Sequence, residues 1–353
     1  MKAKFYLIAA AACAALAACS KNEVAPVDVD QEITYQTIET KAASGFNTSH
    51  AFQSWAYFLD NGKDWFHNSN ESSYYIKDSK IVWDGTSAWK NSTYNYYWPK
   101  QGSLTFFAWS DDTYSPAVAS PATVDCNKTD GIKFSNFNVA TDRNKDLLVA
   151  KIAADKSAND GTGHSFGGNT WTTGVPTEFY HVLSNLVFTA KTYTDYNNVT
   201  FKVNSIELTG VNTIGTYTQG VDASKNPTHV NYWTSPASPD NLKVYTPDTP
   251  VAVNSTVATL NPKDGTDYWI VLPQEIPASA KLVLKYQYTI SDGEGGANFN
   301  KEFTEEIALS TIYTANWKSG KKYTLGITFK LDEILWDPTV EDWDDGTTTG
   351  ITL

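Results

Sequence analysis

Hydrophobic and polar residues alternate with a period of two along much of this chain. Leu282, Leu284, Tyr286, Tyr288 and Ile290 share one parity, and Lys281, Lys285, Gln287 and Thr289 take the other. That is the pattern of a strand with one buried and one wet face. The same period runs through Tyr323, Leu325, Ile327, Phe329 and Leu331, set against Thr324, Gly326, Thr328 and Lys330. A shorter version joins Val199, Phe201 and Val203 against Thr200, Lys202 and Asn204. Ser291-Asp292-Gly293-Glu294-Gly295-Gly296 reads as a hairpin loop, with a return strand around Phe303 to Leu309. No long segment shows the period and caps of a helix. Many short strands separated by Gly, Pro, Asn and Asp predict an all-β chain of β-sandwich domains.

The chain opens differently. Lys2 and Lys4 precede an unbroken small or apolar run from Phe5 to Leu16, which reads as a secretory signal peptide. The run is too short for a membrane span, which needs about 20 apolar residues. It ends in Leu16-Ala17-Ala18-Cys19, a lipoprotein cleavage box in which Cys19 receives the lipid. Residues 1–18 are thus expected to be removed, leaving an outer-membrane lipoprotein held at the cell surface by its lipid alone. Residues 21–31 are polar and contain Pro26, as a tether should be.

Composition narrows the partners. The net charge is −12, and loss of Lys2 and Lys4 makes the mature chain more acidic still. Such a chain repels nucleic acid and anionic lipid, so neither is an expected partner. Of three cysteines, Cys13 lies in the signal and Cys19 is the anchor. Cys126 remains alone, and no intramolecular disulfide is expected. With 353 residues, two domains are expected, because single cores stop growing at roughly 250–300 residues. The long polar stretch Ala153 to Gly174 is the expected interdomain connection or large surface loop.

Several motifs then fall into a recurring order. Tyr96-Tyr97-Trp98-Pro99, Leu104-Thr105-Phe106-Phe107-Ala108-Trp109 and Asp146-Leu147-Leu148-Val149-Ala150 occupy the first half. The second half carries the run from Phe179 to Phe188, Ile270-Val271-Leu272-Pro273-Gln274, Trp317-Lys318-Ser319-Gly320-Lys321-Lys322-Tyr323, and finally Trp336 and Trp343. In these motifs the chain resembles the fimbrillin family of Bacteroidetes type V pilus subunits. The resemblance implies two transthyretin-like β-sandwich domains in tandem: residues 42–173 and 174–353, preceded by the signal 1–18 and a tether with a removable strand, 19–41. It further implies cleavage by a surface protease, here between Lys41 and Ala42, that frees the strand Glu32 to Ile38 and opens a groove. A C-terminal donor strand from another pilin subunit would fill that groove, with Leu335, Trp336, Val340 and Trp343 as its candidate residues. Burial of four or five apolar side chains would contribute on the order of 10 kcal/mol. Family members usually have Arg at the cut; Lys41 lacks its planar fork. Lys41 as an ordinary linker residue, and the C-terminal region as the last strand of its own domain, remain open readings.

Catalytic and metal signals are weak. Gly163-His164-Ser165-Phe166-Gly167 matches a nucleophile elbow, but no buried strand precedes it and no helix follows, so it reads as a flexible loop. Asp125, Asn127 and Asp130 before Gly131 suggest an acidic turn without the spacing of a calcium loop. His181 has no partner at metal-ligand spacing and reads as a core or edge histidine. Glu341, Asp342, Asp344 and Asp345 read as a solvated acidic face. The expectation is a non-enzyme without cofactor or metal, partnered by pilin subunits, a maturation protease and host or bacterial surface ligands. The alternative is a monomeric glycan-binding lipoprotein, with Trp55, Trp65, Trp83 and Trp89 stacking on sugars.

Overall fold

The computed structural model describes residues 31–38, 48–111, 116–118, 122–141, 145–158, 164–166, 169–171, 174–220, 232–234, 239–260, 269–293, 298–313, 315–331 and 333–342. Their regular structure is nearly all strand, with two single-turn α-helices, α1 (Trp65–Asn68) and α2 (Leu309–Ile312), and a 3-10 turn at Ser69–Glu71. The first strands are β1 (Tyr35–Ile38), β2 (Ala51–Leu59), β3 (Ser73–Trp83), β4 (Trp89–Asn91), β5 (Ser103–Asp111) and β6 (Thr123–Asn127). Next come β7 (Gly131–Asn138), β8 (Leu147–Ala150), β9 (Ala153–Lys156), β10 (His164–Phe166), β11 (Asn169–Trp171) and β12 (Val175–His181). Eight of these form one sheet in the order β2-β3-β4-β1-β12-β8-β5-β9, and β2 also pairs with β5. That last pairing closes the path on itself, so β1 is a stave in a ring of strands.

The motifs of the first half owe their unbroken hydrophobicity to this ring. Phe52 and Ala56 of β2, Leu104, Phe106 and Ala108 of β5, and Leu148 and Ala150 of β8 point into the ring with Phe179. Their neighbours Trp55, Tyr57, Leu59, Phe107, Trp109, Leu147 and Val149 point outward, yet they are equally buried in a second core. A strand buried on both faces loses its alternation.

The outward face is covered from the second half of the chain. Its strands are β13 (Ser184–Thr192), β14 (Val199–Asn212), β15 (Ile214–Thr218), β16 (Trp233–Thr234), β17 (Pro239–Tyr245) and β18 (Val251–Val253). They continue with β19 (Ala258–Leu260), β20 (Trp269–Val271), β21 (Lys281–Ile290), β22 (Phe299–Ala308), β23 (Lys321–Phe329) and β24 (Ile334–Asp342). A four-stranded sheet of order β16-β15-β7-β6 mixes strands of both halves. It lies against the ring, with the Trp109 and Phe134 rings edge to face at 5.2 Å. Because β14 and β15 are separated only by Thr213, one nearly continuous run crosses from the second sandwich onto the first. Gln219, 3% exposed, clamps this crossing: it accepts from the Ile132 amide at 3.1 Å and donates to the Ala150 carbonyl at 2.8 Å.

The second sandwich pairs the sheet β19-β13-β23-β24 with the sheet β17-β14-β21-β22. The alternating residues named from the sequence meet face to face, as in the stacked Phe201 and Phe329 rings at 5.4 Å. The stretch Ala153 to Gly174 does not link the two domains. It leaves the ring at β9 and re-enters it at β12, whose Phe179, Tyr180 and His181 pair with Ala150, Val149 and Leu148. The strand Val175–His181, expected in the second domain, is therefore hydrogen-bonded into the first sheet. The chain passes between the halves at Val182-Leu183, both fully buried.

Gln274 explains two of the second-half motifs. Its backbone exchanges two 3.0 Å hydrogen bonds with Trp317. Its side chain accepts from the Asn212 amide and donates to the Asn212 carbonyl, each at 2.9 Å. The residue is 4% exposed, so nothing else in the solvent replaces these partners. Gln274→Leu should strand two buried backbone groups and cost about 2 kcal/mol or more, read as a lower denaturation midpoint of the full chain.

Candidate assembly site

The site centres on β1 and the slot it fills. Tyr35 to Ile38 pair in parallel with Val175 to Glu178 of β12, while Tyr35 pairs antiparallel with Trp89 of β4. Upstream, Glu32 bridges to Tyr97, the Ile33 amide donates to Tyr96 at 2.8 Å, and the Trp98 amide donates to Gln31 at 2.9 Å. The Tyr-Tyr-Trp-Pro motif is thus the continuation of the β4 wall, and its Trp98 ring packs edge-on against Phe106 at 5.7 Å.

Side chains from Glu32 to Gln36 alternate in burial as those of a half-buried strand should. Ile33 and Tyr35 are 3% and 4% exposed. The Tyr35 ring stands edge-on to Phe52 at 5.5 Å and to Phe106 at 5.7 Å. Burial pushes its phenol well above the ordinary tyrosine range. Glu32 lies 3.0 Å from Lys90, which raises the lysine pKa; both side chains are partly exposed, so the pair is screened. Two deeply buried apolar side chains contribute about 3–6 kcal/mol gross, less than the four or five expected. A short plug of this kind is held as much by its two flanking ladders as by its side chains.

Gly174 shapes the entry to the slot. Its φ is +80°, and a Cβ there would lie 2.9 Å from the Tyr35 carbonyl carbon and 3.1 Å from the Gln36 nitrogen. The next amide, Val175, donates to Thr34 at 2.7 Å. No residue with a side chain fits where β1 passes this closely.

Toward the C-terminus, β24 is the edge of its sheet and, among the described residues, pairs only with β23. Trp336 lies opposite Ile327, Leu335 opposite Thr328 and Val340 opposite Tyr323. Trp336 packs partly buried on the core, whereas Leu335 and Val340 are 39% and 55% exposed. Pro338 is tolerated because an edge strand has one unpaired side. Glu341 pairs with Lys322 at 2.8 Å and Asp342 with Lys321, so these carboxylates are cross-strand partners of lysines. Cys19, Lys41, Ala42 and Trp343 lie outside the described residues.

The remaining candidates resolve into structure. Trp55, Trp65 and Trp89 are 3%, 0% and 4% exposed and fill cores, and the half-buried Trp83 packs edge-on against Trp89 at 6.0 Å. Ser165 sits in a two-stranded hairpin, paired with Thr170, and is neither a flexible loop nor a strand-to-helix elbow. Asn127 closes its turn by accepting from the amides of Thr129 and Asp130, and Lys133 lies 3.2 Å from Asp130, where a calcium ion would need to be. His181 is buried against Asp146. Among the described residues no group of acidic, histidine or cysteine side chains could hold a metal ion, and no helix is long and apolar enough to cross a membrane.

Sequence reasoning missed Lys90, which meets Glu32, and Gly174, which closes on the Tyr35 backbone. Gly174→Ala should loosen β1 selectively, by about 1–2 kcal/mol. Hydrogen exchange should show faster exchange at the amides of residues 33–37. Gly62→Ala, also at positive φ but with no atom within 4 Å, should leave β1 protected.

Comparison with known proteins agrees with this architecture. A fimbrial protein from Bacteroides vulgatus superposes with a TM-score of 0.63 at 16% identity, covering 89% of this chain and 100% of that one. A candidate cell adhesion protein from Bacteroides uniformis gives 0.49 at 15% identity, covering 88% and 99%. The first shares the fold; the second is too distant to add to the argument. No curated protein matches. The fimbrillin-like family model matches residues 40–343, and the chain belongs to the fimbrillin-like family.

Proposed function

We propose that the protein is a structural or accessory subunit of a cell-surface pilus, exported as a lipoprotein, assembled by protease-triggered β-strand exchange and supporting adhesion. The observation that carries this reading is the place of β1. It is the most N-terminal described segment, yet it occupies the interior of a closed sheet, flanked by β4 and β12. A cut after β1 would allow it to leave, exposing two ladder edges and the pockets of Ile33 and Tyr35. An extended strand from a neighbour restores both, with backbone hydrogen bonds supplying affinity and alternate side chains supplying specificity. Family membership and the fold shared with a fimbrial protein support a structural role over a catalytic one. The glycan-binding alternative loses its motive, because three of its four tryptophans are interior.

Purified mature protein cut by protease between β1 and β2 should form a detergent-resistant ladder, and cells lacking the protein should lose or alter their pili. Lys41→Ala should remain monomeric under the same treatment. Cut protein that never polymerises, with unchanged pili on the deletion strain, contradicts the reading. A Lys41→Ala ladder equal to wild type removes Lys41 alone.

A further inference from the structure

Among the described residues, the second sandwich is open between two of its edge strands. β22 ends one sheet and β24 ends the other, and a cleft of about 390 Å³ lies between them. That is the size of a small-molecule site. Its floor is aromatic, formed where Phe201 of β14 and Tyr286 and Tyr288 of β21 meet Phe303 of β22. The Phe303 ring is stacked with Tyr286 at 5.0 Å and with Tyr288 at 5.2 Å. Trp336 of β24 lines the facing wall. Tyr288, Phe303 and Trp336 are only half-buried, so part of each ring stays open.

The register of β22 adds charge to this apolar surface. Phe303 pairs with Tyr286, Glu305 with Leu284 and Lys301 with Tyr288, so all three side chains turn to the face that carries the core. Glu305 is exposed and lines the cleft. Its charge reaches the Tyr286 phenol, whose pKa is raised by burial first and by Glu305 second. Lys301 lies over the Phe303 ring, 4.8 Å from its centre. On the other lip, Lys330 and Glu333 form an ion pair.

These charges narrow the occupant. Inward-pointing charges on an edge strand oppose the addition of another strand, and an apolar cover would bury them without partners. Lys301 and Lys330 balance Glu305 and Glu333, so net charge favours neither an anion nor a cation. A ligand that suits the cleft is neutral, with one apolar face and several hydroxyls. We propose that the cleft between β22 and β24 binds a neutral sugar residue of a surface glycan. The C–H face of the sugar ring lies on the open ring surfaces of Tyr288, Phe303 and Trp336, whose electron-rich faces attract it. Glu305 accepts from one hydroxyl, and the Lys330–Glu333 pair bonds others. The rings concerned are not the four tryptophans weighed from the sequence. Nor does the site depend on strand exchange, since none of its residues belongs to β1, β4 or β12.

Uncut mature chain, with β1 in place, is the protein to test, so that failure here and failure to polymerise are read separately. Saturation-transfer NMR and calorimetry with the methyl glycosides of glucose, galactose, mannose and N-acetylglucosamine should find at least one that binds, with saturation strongest on its ring C–H protons. Phe303→Ala and Glu305→Ala should each weaken that binding about tenfold. Phe66→Ala, which removes an exposed ring in the first half (40% exposed), should leave it unchanged. Glu305 is exposed, so its variant tests the site even where Phe303→Ala lowers the unfolding midpoint. Binding of none of the four glycosides overturns the proposal, as does binding that survives both cleft variants. Preference for choline or for a methyl sialoside over all four overturns the neutral sugar as the occupant.

Discussion

A sheet that closes on itself has no edge, and the first half of this protein closes its sheet with a strand from the start of the described chain. With β1 in place, β4 and β12 each have a partner and the aromatic interior around Phe52, Phe106 and Phe179 is sealed. Without it, two ladder edges and two apolar pockets face water, an arrangement that invites pairing with another chain. The rest of the architecture determines how sharply that choice is posed. The ring cannot simply collapse over the gap, because β2, β5 and β8 are pinned from outside by a second core.

That pinning comes from the other half of the chain. The run through β14 and β15 carries the second sandwich onto the ring, and Tyr217, fully buried, packs between Phe134 and Trp233. Gln219 ties the same layer to β7 and β8 through buried hydrogen bonds. A slot bounded by such a framework is preformed, and preformed shape lowers the cost of binding a strand.

Strands with one wet face were legible in the sequence, as β21 and β23 show. The pattern of β14 ended early at Asn204 because a register shift between Val203 and Ser205 moves the inward set from Phe201 and Val203 to Ile206 and Leu208. β5 and β8 showed no alternation because both faces are buried, so they stood out as motifs and not as half-buried strands. The segment Glu32 to Ile38 was singled out through the family resemblance. Its walls were not, since Trp89 and Val175 reach Tyr35 through pairings that no local signal encodes. Lys90 looked like any exposed lysine, and Gly174 like the end of a polar loop. The tryptophans misled for the opposite reason: aromatic abundance is the same whether rings face a sugar or a core, and only packing separates the two.

The central claim is that β1 is a replaceable stave. Native mass spectrometry of protein cut between β1 and β2 measures it most directly, by counting the released N-terminal peptide in each species. The account predicts that cut monomers retain one peptide per chain and that oligomers carry fewer peptides than chains. Oligomers that keep one peptide for every subunit would show that β1 never leaves, and would contradict it.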